Sequence, residues 1–292
     1  MPLSAIIAFG LLTLAIICVW VPAAKPKSLF WERFWIIPCV VSIACGLFFG
    51  FIHWIALVPI IGLATACYIV AGPNVHPVAK ILAGVGVISL CIGFFLHVVP
   101  GFSNFKIISD IKLSPDALSY SKYLNFDKGL AGLFLIAWGH GHITSLSGWQ
   151  RMLAKMIPGA LLVIIVVMVL SLLFGYVRVD IKIIPLFIVW AWTNLFFTCM
   201  AEEGFFRGFV QRHLVALLGK YRYGSEMGVG TASLLFGLAH YAGGVKYILL
   251  AFVAGVGYGW AYYRTQRIEA SILTHFMLNS IHFLFFNYPA LA

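Results

Sequence analysis

PLFIVWAWTNLFFTCM (185–200) runs directly into AEEGFFRGFVQ (201–211), so an uncharged apolar run ends in Glu202, Glu203 and Arg207. The whole chain has 9 acidic residues in 292, and two of them stand side by side here. An ionisable group in hydrocarbon costs on the order of a few kcal/mol or more, and such groups mark functional sites. The apolar run therefore calls for a membrane helix, and the charges that follow call for partners and a purpose.

The rest of the chain agrees with the first demand. It is 62% hydrophobic and 10% charged, with a mean hydropathy of +1.01, against about 25% charged residues in soluble domains. The formal net charge of +10 does not read as a nucleic-acid surface, because Lys and Arg are scattered between apolar runs. Short basic loops are what membrane topology requires, so membrane lipids are expected partners and nucleic acid is not. The cysteines Cys18, Cys39, Cys45, Cys67, Cys91 and Cys199 all lie in apolar runs without metal-ligand spacing, as small buried filler.

At about 20 apolar residues per span, candidates are 3–21, 35–52, 54–71, 79–99, 157–175, 183–201, 227–242, 246–263 and 269–287. The N-terminal run has its positive charges after it, as in a retained first span with the N-terminus outside and no cleavage. Residues 101–128 read as one sizeable extramembrane loop. LAGLFLIAWGHGHITSL (130–146) reads as a tenth span, a re-entrant segment or an interfacial helix. If it spans, one side receives Lys25, Lys27, Arg33, Lys80, Arg151, Lys155, Arg207, Arg212, Lys220, Arg222, Arg264 and Arg267, twelve of the 19 basic residues. That bias marks their side as cytoplasmic. His140 and His142 are two apart, do not share a helix face, and read as a membrane-edge feature rather than a metal site.

The expected fold is all-α, a polytopic transmembrane bundle of roughly nine or ten spans. A variable N-terminal membrane region covers 1–150, and a catalytic region with a four-helix core covers 151–292. In a helix, Glu203 and Arg207 are four apart and neutralise each other, while Glu202 is rotated by about 100° and faces elsewhere. That separates a supporting acid from a working one. Two later helices bring polar groups: TASLLFGLAHY (231–241) ends near His240, and SILTHFMLNSIHF (271–283) stacks His275 and Asn279 on one face, with His282 extending the stripe. A carboxylate and an imidazole can deprotonate a water, and an imidazole and a carboxamide can donate to a developing oxyanion. No GxSxG or HExxH occurs, so neither a serine-hydrolase elbow nor a zincin helix is supported. By chemistry alone, a proton or cation pathway also fits. Ala251, Gly255 and Gly259 form a small-residue face suited to close helix packing, and GVGYG lacks the preceding strand of a nucleotide loop.

The order EExxxR (Glu202, Glu203, Arg207), FxxxH (Phe236, His240) and HxxxN (His275, Asn279) resembles the CAAX-processing and bacteriocin-processing family of intramembrane endopeptidases, the Rce1-like or Abi family. EEGFFRGFVQ, SLLFGLAHY and GYGWAYYRTQRIEASILTHFMLN carry the likeness over about 183–288, and the first 150 residues lie outside it. The resemblance implies a glutamate-type protease: Glu202 as general base on the water with His240 assisting, His275 and Asn279 completing the water and oxyanion site, and Glu203 and Arg207 supporting it. It implies a peptide or protein substrate, lipidated or not. No cofactor is expected, although Glu, His and His can ligate zinc. An integral, multi-pass membrane location follows, in the inner membrane if the cell is bacterial, with the site towards the cytoplasm. The rivals are a non-enzymatic immunity or scaffold protein of the same fold and a proton-coupled transporter. The intact site residues argue against the first. The lack of two related halves argues against the second.

Overall fold

A backbone surrounded by apolar side chains must satisfy its own hydrogen bonds, which leaves the helix as the local solution. The computed structural model, which describes residues 1–21 and 33–292, is 71% helix and 6% strand. Lys25 and Lys27 of the charge count lie outside the described residues. Every apolar run expected to span falls on helical structure. In order these are α1 (Leu3–Cys18), α2 (Ile36–Phe48), α3 (Leu57–Ala71), α4 (Pro77–Phe95), α5 (Phe126–Gly139), α6 (Leu146–Leu173) and α7 (Leu186–Asn194). Then come α8 (Met200–Glu203), α9 (Arg212–Leu218), α10 (Gly224–Ala239), α11 (Gly244–Thr265) and α12 (Ile268–Phe285). Among the described residues, four stretches are long and apolar enough to cross a membrane: Trp54–Ala71, Pro77–Phe95, Leu146–Leu173 and Tyr241–Thr265. At 1.5 Å per residue, α1 and α2 reach only about 20–24 Å, short of a hydrocarbon core of about 30 Å.

Two readings change. The connection at 101–128 is not a plain loop: Phe105–Ile111 (β1) and Tyr120–Leu124 (β2) pair as a two-stranded sheet. Short strands are invisible to a search for long apolar runs, and the pairing is held partly by side chains. The Asp110 amide donates to Ser121 Oγ at 3.0 Å, and that hydroxyl donates to Asp110 Oδ1 at 3.0 Å. The stretch at 130–146 is helical only as far as Gly139. α5 is 14 residues long and buries ten of them, Phe126, Asp127 and Gly129–Ile136. His142 lies beyond its end and donates from Nε2 back to the Ile136 carbonyl at 3.1 Å.

The chain forms two units. The first comprises 1–107, 123–144 and 196–201; the second comprises 108–122, 145–195 and 202–292. In the first, Phe9 of α1 packs against Phe51, Phe126 and Phe197. Ser42 of α2 donates to the Ala8 carbonyl at 2.7 Å. In the second, α6 starts at Ser145, whose hydroxyl accepts from the Gly148 amide at 3.1 Å, an N-cap that satisfies one orphan donor. α11 ends at Gln266 in the left-handed region (φ 54°), which stops the helix so that α12 can return beside it.

Candidate active site

The second unit carries all six expected residues. The helical path that begins with α7 is not regular α-helix here: Leu195–Cys199 and Gly204–Gln211 are π-helical, with α8 between them. Wider π turns occur mostly as local bulges within α-helices, frequently at functional sites. Glu203 and Arg207 nevertheless meet as their spacing predicts, at 3.1 Å, and both are 0% exposed.

Glu203 is the hub of this cluster. Its Oε1 accepts from Arg207 Nη1 and from His275 Nδ1, the latter at 2.8 Å, and its Oε2 accepts from the Ser271 hydroxyl. These three donors, the Arg207 guanidinium among them, offset the cost of burying the carboxylate. Arg207 is held in turn by the Gly255 carbonyl at 3.0 Å, and its guanidinium sits 4.3 Å from the centroid of the Phe236 ring. One turn on, Gln211 donates to the Gly259 carbonyl at 2.9 Å. The glycines at 255 and 259 therefore do more than pack helices. A Cβ at 255 would lie 3.1 Å from Arg207 Nη2, and one at 259 would lie 2.6 Å from Gln211 Oε1.

The bond to Glu203 fixes the state of His275. Nδ1 carries the proton, so in the neutral ring Nε2 is the atom with a lone pair. Tyr258 stacks on this imidazole, 4.5 Å away and 14° from parallel, and Phe236 meets it edge-on at 5.8 Å. His240, at the C-terminal end of α10, is fixed the same way: its Nδ1 donates to the Phe236 carbonyl at 2.7 Å. Asn279 donates from Nδ2 to Asn194 Oδ1 at 3.3 Å.

His240, His275, Asn279 and His282 share the wall of a cavity of about 60 Å³, to which α6 and α11 contribute Ser171 and Tyr247. That volume admits a few water molecules, each needing about 10–15 Å³ on the same measure, but no peptide. Glu202 is half-buried and is not among the lining residues. Among the described residues, no group of three or more His, Cys, Asp or Glu is arranged to hold a metal ion.

Three participants escaped the sequence reading. Ser271 was within reach of it, because Ser271, His275 and Asn279 repeat every four residues along α12. Tyr258 and Asn194 carried no such signal; both are brought in by packing between elements.

Comparison with curated proteins and with solved structures gives no match. A family model described as "Type II CAAX prenyl endopeptidase Rce1-like" matches residues 184–281. That segment contains Glu202, Glu203, Arg207, His240, His275 and Asn279, in the motif order that suggested the likeness. Through residues 184–281, about a third of its length, this chain is similar to the Rce1-like family of type II CAAX prenyl endopeptidases.

Proposed function

We propose that the chain is an intramembrane endopeptidase that hydrolyses peptide bonds of membrane-associated substrates, with 151–292 as its catalytic region. Glu202 takes a proton from water, assisted by His240 through Nε2, and the water attacks the scissile carbonyl. His275 and Asn279 donate to the oxyanion, and the proton passes to the leaving amine. To donate from Nε2 while Nδ1 stays bonded to Glu203, His275 acts as the imidazolium, which that carboxylate stabilises. Arg207 in turn neutralises Glu203. The observation that carries this reading is the pairing of two anchored imidazoles and a carboxamide on one water-sized cavity.

A prenylated cysteine near a substrate's C-terminus fits the family's description, as do unlipidated peptides. The basic residues beside Glu202 favour a cytoplasmic opening in a multi-pass protein. The test is hydrolysis of farnesylated and unmodified peptides by the purified chain in nanodiscs. Glu202→Gln, whose amide cannot accept the proton, is expected to lower the rate by at least about 10²-fold while the protein stays folded. A wild-type rate in that variant removes Glu202 from the mechanism.

A further inference from the structure

A second, larger cavity of about 660 Å³ lies between α6 and α11 and shares no lining residue with the first. Away from its charged end its lining is apolar, with Leu162, Val163, Val166 and Val253. The two helices run in opposite directions along it, which brings Lys155 and Arg264 to the same end beside the exposed Trp260. From Val166 to Lys155 the groove is about 16 Å long at 1.5 Å per residue, the scale of most of an acyl chain.

The charges at its mouth have no use within the fold. Among the described residues, neither Lys155 nor Arg264 makes a hydrogen bond or ion pair, and no carboxylate lines the groove. At the opposite end of the same helix pair the contrast is plain: the Lys246 ammonium donates to the Phe174 carbonyl at 2.7 Å. An apolar slot with two free cations and an indole at one end matches an anionic phospholipid. The phosphodiester would bridge a guanidinium suited to phosphate and an ammonium, the indole would sit at headgroup level, and one acyl chain would fill the slot. Basic pockets between transmembrane helices bind anionic headgroups in this way. A neutral prenyl chain would use the apolar walls but leave both cations unmatched.

We propose that the α6–α11 groove is a binding site for one anionic phospholipid, separate from the hydrolytic cavity. The experiment uses the full chain in phosphatidylcholine nanodiscs doped with phosphatidylglycerol or phosphatidylcholine carrying brominated acyl chains. The Trp260 signal is the fluorescence difference between wild type and Trp260→Phe. Brominated phosphatidylglycerol is expected to quench it at about 30-fold lower mole fraction than brominated phosphatidylcholine, from about 1 kcal/mol for each of the two cations near the surface. Lys155→Gln/Arg264→Gln should abolish that preference. Lys220→Gln/Arg222→Gln, an equal charge loss at exposed positions elsewhere, should keep it. Equal quenching by both lipids overturns the proposal, as does a preference that survives the Lys155/Arg264 double variant. Displacement of the brominated lipid by a neutral farnesylated peptide, regardless of those two cations, would also overturn it and assign the groove to substrate.

Discussion

Each unit buries one carboxylate against an imidazole, and the two pairs differ in what balances the charge. In the first, Asp127 stands in the first turn of α5 and its Oδ2 accepts from His97 Nδ1 at 2.6 Å and from Asn104 Nδ2 at 3.3 Å. Asp127 is 1% exposed, but the His97 side chain is 37% exposed. The helix N-terminus itself favours the negative charge. In the second, Glu203 meets His275, 5% exposed, and a permanent cation, Arg207. The first pair ties a connecting segment to a helix end, and solvent reaches its imidazole. The second is sealed, neutralised independently of its histidine, and placed on a cavity. The acid–imidazole contact is common to both pairs; the separate counter-charge and the water-sized cavity beside the ring distinguish the second.

The strongest way to break this comparison is to remove the counter-charge. Glu203→Ala or Arg207→Ala is expected to cost about 3–5 kcal/mol, because each leaves a buried charge unpaired. The double variant should cost less than the sum of the two. Chemical unfolding in detergent measures all three, and additive losses would show that the residues do not act as one unit. Asp127→Asn, which keeps the volume and part of the bonding, should cost only about 1–3 kcal/mol and leave hydrolysis near the wild-type rate.

The imidazoles separate the pairs by activity. His275→Ala should reduce turnover about 10²–10³-fold, the scale of one lost oxyanion donor, whereas His97→Ala should leave it nearly unchanged. Comparable losses from both would erase the distinction drawn between the units.

The smallest effect concerns a third carboxylate, outside the apolar spans. Hydrogen bonding from Ser114, and then from Lys182, holds the Asp180 carboxyl below its ordinary range, outweighing its partial burial. A depressed folded value means that its contribution is fully present above the unfolded value, about 3.9, and is lost as pH falls through the lower, folded one. Amide exchange in 174–185 should therefore speed up below about pH 4 in the wild type, and Asp180→Asn should remove that dependence. The side chain is one-third exposed, so screening keeps the effect small. An unchanged pH profile in Asp180→Asn would leave the segment's acid response to other groups.

These outcomes also bear on what the sequence could disclose. Helical placement was legible because each apolar run has only one way to satisfy its backbone. The Glu203–Arg207 pair was legible because both partners lie on one turn. The π turns were not, since nothing in the residue pattern of LFFTC or GFFRGFVQ separates a wider turn from a regular one. Nor was the link from Glu203 to His275, which joins residues 72 apart. The motif order supplied the set of residues. It did not reveal that the supporting acid, rather than Glu202, holds the histidine.

The paired contacts Arg207–Gly255 and Gln211–Gly259 join residues 48 apart in both cases. Both members advance by four, so the two stretches behave as a gauge that reads the same number twice. Inserting or deleting one residue within α10, or within the early part of α11, would turn one stretch against the other by about 100° and undo both contacts together. The turn at 219–223 lies between helices and can absorb a length change without that rotation. Natural or engineered length variation between residues 212 and 254 is therefore expected to collect in that turn, while the helices on either side keep their residue count.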